Sequence, residues 1–274
     1  MGFKSFKSLG SQGFVNAGSK NNSFGVVQPL PVASFTPNHY DVMGQSTDGY
    51  TVYTFTSTAV NYYSISYTFT KSTTMSILGV GGGGGGGWDN SGGGGAGGVV
   101  LAQVLVPIGS DTININVAAG QTAGNRNVTG TGGTTTVSFA NNPSLNIIAG
   151  GGGSASVYGS PGNNGSINGG SGSGDSLEGK VRGGIANNSH NNLAFNGGLG
   201  SGYTGAGGGG AGSPGGNAMQ SGGGALANGG NGVLCTLPGI NTFGVYGSYY
   251  WGGGAGTSAY DSANGFKNGR CSNV

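Results

Sequence analysis

The chain has 274 residues, 68 of them glycine, and only 6% are charged, with a formal net charge of +2. Average proteins hold about 7% glycine and 25% charged residues, so a solvated helical surface is excluded, and each interior glycine disfavours a helix by about 1 kcal/mol relative to alanine. Eight prolines are too few for collagen, and 12 tyrosines, 11 phenylalanines and two tryptophans do not suit ordinary disorder.

Residues 1–47 mix Gly, Ser, Asn and Lys with scattered Phe and Val, and Lys4, Lys7 and Lys20 face no acid before residue 36. The stretch reads as an extended N-terminal arm. One form of it is a loose terminus. The other is a tail lying on a neighbouring subunit, with Phe3, Phe6, Phe14 and Phe24 as anchors for assembly. Glycines at 2, 10, 13, 18 and 25 disfavour helix, and Pro29 and Pro31 hold the exit extended. The start MGFKSFKSLGSQGF has lysines but no apolar h-region, so no secretory signal peptide is expected. Phe6 occupies the position where N-myristoylation needs Ser or Thr.

Residues 48–150 read as a β-rich core. Tyr50–Thr56, Tyr62–Thr70 and Thr73–Val80 alternate apolar with polar residues or are rich in β-branched and aromatic types. In the second run Tyr63, Ile65, Tyr67 and Phe69 share one face. Val99–Val106, Thr112–Ala118, Thr134–Phe139 and Leu145–Ala149 follow, divided by Gly, Asn and Pro. About seven short strands at this spacing suit an antiparallel β-sandwich.

Residues 151–274 form a glycine-rich region without strand alternation. Local three-residue spacings occur, as at Gly202, Gly205 and Gly208, but never lock into a long register. Two structures fit: long loops, costly to order, or packed polyglycine-II-type segments with three residues per turn. The expected fold class is therefore mainly β, with essentially no helix.

Chemistry-bearing motifs are scarce. Gly174–Val181 approximates a phosphate-binding loop, but Val181 replaces the hydroxyl residue, Asp175 and Glu178 would repel an anion, and no strand precedes it. His39 and His190 are far apart, and only seven carboxylates exist. No catalytic residue, metal ligand or cofactor is expected, and the chain is read as not an enzyme. Cys235 and Cys271 have no metal spacing; they are either two reduced thiols or a disulfide closing the last loop in an oxidising setting. The sequons at Asn21, Asn127, Asn164 and Asn187 match chance in so Asn- and Ser-rich a chain. No apolar run reaches the roughly 18–20 residues of a membrane span. Nine positive charges against seven negative make no basic face, so nucleic-acid binding is not expected. The exposed-loop aromatics Trp88, Tyr203, Tyr249, Tyr250 and Trp251 are candidates for surface recognition by stacking; the plainer reading places most aromatics in the β core.

The order of blocks carries a resemblance. A strand runs into Val80–Trp88, then Gly92–Gly98, an apolar strand V-V-L-A-Q-V-L-V-P, Thr112–Gly120, a T-T-T-V-S-F strand and Leu145–Gly153 with a second glycine block. Later come Gly229-Gly-Asn-Gly-Val and Tyr249-Tyr-Trp-Gly-Gly-Gly-Ala-Gly256. Over residues 73–260 this resembles the glycine-rich domain of phage tail-fibre and tail-tip proteins and of structural proteins of large DNA viruses. The glycine-rich tail-tip adhesins built on packed polyglycine helices are a looser likeness. No shaft repeat or trimeric coiled coil is present, which favours a short virion component over a whole fibre. The resemblance implies a virion protein (minor capsid, decoration or tail-tip), assembled in the host cytoplasm, whose partners are other virion proteins or copies of itself. The alternative it leaves is a receptor-binding adhesin that recognises a host surface protein or glycan. An ice-binding or matrix glycine-rich protein is a third reading, weakened by the missing signal peptide.

Overall fold

A computed structural model describes residues 2–7, 32–38, 42–45, 50–56, 58, 63–87, 91–121, 131–155, 165, 170–174, 183–201, 204–218, 227–241, 250–256, 258–261 and 265–268. The strands are β1 (Gly2–Lys7), β2 (Val32–Pro37), β3 (Val42–Gln45), β4 (Tyr50–Phe55), β5 (Tyr63–Phe69), β6 (Thr73–Val80), β7 (Val99–Val106), β8 (Gly109–Asn116), β9 (Thr135–Phe139) and β10 (Ile147–Ala149). The short pairs β11 (Val233–Leu234) with β12 (Tyr250–Trp251) and β13 (Ser258–Asp261) with β14 (Gly265–Asn268) follow. Helical structure among the described residues is limited to single 3-10 turns at Pro143–Leu145 and Ser189–Asn191.

Two five-stranded antiparallel sheets form the sandwich, in the orders β3-β4-β1-β6-β7 and β10-β9-β8-β5-β2. Alternation decides which faces meet. On β5 Tyr63, Ile65, Tyr67 and Phe69 are buried, while Ser64, Ser66 and Thr68 are not. They pack with Phe55, Met75, Ile77 and Val100 of the first sheet and Ile113, Ile115, Val137 and Phe139 of the second. Phe55 and Tyr63 meet edge-to-face with centroids 5.0 Å apart. Each such buried side chain contributes about 1.5–3 kcal/mol before entropy is subtracted.

The expected arm does not stay apart from this core. β1 lies between β4 and β6 of its own chain, with Phe3 opposite Thr54 and Leu78, and Phe6 opposite Thr51 and Met75. β2 and β3 likewise pair with β5 and β4. Residues 1–47 thus supply three strands to the sandwich. Local pattern does not reveal this, because β1 is short and its partners are distant in sequence. Phe14 and Phe24 lie outside the described residues.

β6 is buried on both faces near its end. Leu78 and Val80 turn away from the sandwich core and form a second cluster with Val99, Ala211, Cys235, Leu237, Ile240 and Trp251. The C-terminal part of the chain therefore covers the outer face of the first sheet.

At that end of the sandwich the strands run on as glycine. The β6–β7 ladder closes at Val80 and Val99, and the Gly81 N–H donates to the Gly98 carbonyl at 3.0 Å. From here the sheets no longer need side chains to hold them apart. A Cβ on Gly81 would overlap the Gly150 carbonyl, which continues β10 of the other sheet.

Candidate functional site

The bonding beyond the strands has a three-residue period. Gly93 and Ala96 donate to Ala206 and Gly209 at 2.8 and 2.9 Å; Gly95 and Gly98 donate to Gly153 and Gly150 at 2.8 Å. Ser171 and Gly174 donate to Ala96 and Gly93, and Gly84 donates to Gly95. A neighbour met every third residue marks polyglycine-II-type packing, with three residues per turn. The alternative of loose loops is thereby set aside for these segments. Segment 206–212 exchanges backbone hydrogen bonds with chain around residues 93–96, 172, 198, 216, 230–231 and 252–255. Six neighbours around one segment is the arrangement of a hexagonal array. The bundle also draws on 81–87 and 91–98, so it begins inside the segment expected to be the β-rich core, and it continues through 150–155.

Glycine is required here by close approach. An added Cβ would overlap the Gly132 carbonyl from Gly151, the Gly81 carbonyl from Gly97 and the Ser173 carbonyl from Gly197. The few side chains inside are small: Ala96, Ala155, Ala206, Ala211, Ser154, Ser171 and Ser173 are buried. Two serines carry specific bonds. Ser154 Oγ accepts from the Gly85 N–H at 3.0 Å, and Ser171 Oγ donates to the Gly210 carbonyl at 3.0 Å.

A cavity of about 620 Å³ opens between segments 81–84, 94–97 and 250–255. Its described lining is glycine backbone with Val80, Ala96, Ala255, Tyr250 and Trp251. It holds peptide groups and aromatic faces, which can bind a ligand by hydrogen bonding and stacking. Its described lining holds no carboxylate, imidazole, amine or thiol, and the Tyr250 hydroxyl is the one group there of the kind proton transfer uses.

The candidate recognition aromatics separate in this setting. Tyr250 is 43% exposed beside the cavity, whereas Trp251 is 8% exposed and packs in the second cluster. The indole follows from strand alternation in β12: adjacent residues face opposite sides. Trp88, Tyr203 and Tyr249 lie outside the described residues. Cys235 is a buried free thiol whose pKa is raised by burial, partly offset by a backbone hydrogen bond at Leu237. Cys271 lies outside the described residues, as do His39 and the Asp175–Lys180 turn. His190 sits exposed in a turn with φ 57°.

Two side chains that pattern reading passed over organise the junctions. Asp111 is buried and accepts from the N–H groups of Thr112 and Asn141 at 2.7 and 3.0 Å, from Asn142 Nδ2 at 3.0 Å and, weakly, from the Tyr67 hydroxyl at 3.5 Å. Burial, then the Asp111 charge and hydrogen bond, push the Tyr67 phenol up to about 12. Asn192, also buried, accepts from the Gly150 N–H at 3.1 Å and donates to the Ile148 and Ser189 carbonyls at 2.9 and 2.6 Å. A lone acid at a strand start and an Asn in an Asn-rich run carry no local signal of such roles.

Among the described residues no group of three or more His, Cys, Asp or Glu could hold a metal ion. No helix among them is long and apolar enough to cross a membrane. The profile of a family described as a glycine-rich domain matches residues 57–273. No curated protein and no solved structure matches the chain.

Proposed function

We propose, on the premise that the chain belongs to the glycine-rich domain family, that it is a structural virion component: a minor capsid, decoration or tail-tip protein that acts through protein–protein contacts. The polyglycine bundle carries this reading. It is a nearly charge-free body in which backbone bonds to backbone in several directions, the build of a scaffold part. The block order described above adds the virion setting, since it resembles that of viral structural and tail-tip proteins. The partners are other virion proteins or further copies of the chain, and the site of action is the assembled particle. The test is mass spectrometry and immunogold labelling of purified particles from the source that encodes the chain. Stoichiometric presence on the particle surface or tail is the expected result; absence from particles overturns the reading.

One observation favours a second reading, a receptor-binding adhesin. Tyr250 stands exposed at a cavity lined by glycine backbone, which suits stacking on a sugar or a peptide group. Whole-cell and glycan-array binding by the purified chain separates the two readings. Binding that falls at least tenfold in Tyr250→Ala would favour the adhesin, and no binding to any surface would favour the scaffold.

A further inference from the structure

β1 is held by two strands that lie far from it in the chain. It fills the middle of a five-stranded sheet and bonds on both edges, with Gly2–Lys7 in register along β4 and Gly2–Phe6 along β6. Among the described strands no other joins the β3-β4 pair to the β6-β7 pair in this sheet. Without β1 the sheet is two ribbons with a slot between them, and the slot presents two rows of unpaired peptide groups, the template that a further strand seeks.

The connection out of the slot is longer than closure requires. Phe6 lies opposite Met75, near the start of β6, and Val32 lies opposite Phe69, at the end of β5. Residues 70–72 alone join those two strands. Lys7 and Val32 therefore leave and re-enter at the same end of the sandwich. Connections of about two to six residues are common in compact domains, yet here residues 8–31 intervene.

We infer that β1 is an exchangeable strand, and that the slot between β4 and β6 is filled by Gly2–Lys7 of a second copy when copies are crowded. This deepens the assembly reading, on which its biological use rests. As part of the same chain, β1 competes for its own slot intramolecularly, and a second copy must match that local concentration to replace it. Dilute chains close on themselves. Copies held together in a particle exceed that concentration and exchange strands, which links neighbours through main-chain hydrogen bonds that are independent of charge.

The test uses the register. Ser5 is paired with Ser76. In a full chain with Cys235→Ser and Cys271→Ser, Ser5→Cys and Ser76→Cys are made separately, and both together in a third chain. The double variant should form an internal disulfide under mild oxidation. The two single variants, unfolded together and refolded from micromolar to several millimolar, should give a covalent heterodimer whose fraction rises at least tenfold over that range. A double variant that closes internally with no heterodimer at any concentration overturns the exchange, and a double variant that fails to close overturns the slot itself. A synthetic peptide of residues 1–12, added to a chain lacking residues 1–7, should bind saturably and raise its melting temperature toward the parent's; a scrambled peptide should not. Exchange in vitro by a chain absent from purified particles would leave this inference standing and remove the assembly reading alone.

Discussion

At the scale of single residues, carbonyl proximity sorts the glycines. Gly151 has the Gly132 carbonyl where a Cβ would go, and the obstacle is backbone that must move. Gly151→Ala should cost at least the 1–3 kcal/mol typical of overpacking, read as a lower denaturation midpoint. Gly86 meets nothing within 4 Å, so Gly86→Ala should stay within about 0.5 kcal/mol of the parent or gain slightly from a stiffer unfolded chain. Equal melting of the two variants would contradict the close-packed bundle. Tyr67 gives a pH signature. Its phenol ionises near 10.0 when unfolded and is held neutral to about 12 in the fold. Its contribution is complete below pH 10 and is lost as the pH rises from 10 to 12, because the unfolded state releases its proton first. Urea midpoints recorded from pH 8 to 12 should fall over that window, and the fall should be shallower in Tyr67→Phe.

Elements hold together at two kinds of joint. Inside the sandwich the joint is apolar: Ile65 has no exposed surface and belongs to the main cluster. Ile65→Ala should lose about 2–5 kcal/mol, and Ile65→Asp should abolish the cooperative melt; a parental melt in Ile65→Asp would show that β5 is assigned to the wrong face. Between sandwich and bundle the joint is polar. The Asn192 side chain links the Gly150 N–H to the Ile148 carbonyl where β10 passes into glycine. Removing it leaves the buried Gly150 N–H without this partner, which costs about 1–3 kcal/mol. Asn192→Ala should therefore speed amide exchange at Gly150 and in segment 150–155 more than in β5. Uniform acceleration across both regions would mean that the side chain does not act locally.

Across the whole molecule, the two cores meet through β6, whose faces belong to different clusters. Cys235 reports on the second one. Its thiol is 1% exposed and its pKa is raised, and only the thiolate reacts readily. Alkylation of Cys235 in the native chain should be at least a hundredfold slower than in the unfolded chain at pH 8, and it should track loss of the C-terminal cover, not loss of the sandwich. Rapid native labelling would show that Leu237, Ile240 and Trp251 do not stay docked on Leu78 and Val80.

Strand positions from β4 to β10 were legible in the sequence because alternation is local: the side chains that name a strand are the ones that fill its core face, as Tyr63, Ile65, Tyr67 and Phe69 do. The scarcity of charge likewise fixed the nature of the surface in advance. Glycine composition narrowed the remainder to loops or packed extended segments and went no further, since a residue without a side chain cannot say which neighbour its peptide groups will meet. Only the tertiary structure decided that Gly93 bonds toward Ala206 and Gly95 toward Gly153, that β1 enters between β4 and β6, and that Trp251 is buried while Tyr250 is exposed. Each of these depends on pairing between residues far apart in the chain, where hydrogen bonding and close approach act through the backbone and leave no periodic mark on the residues themselves.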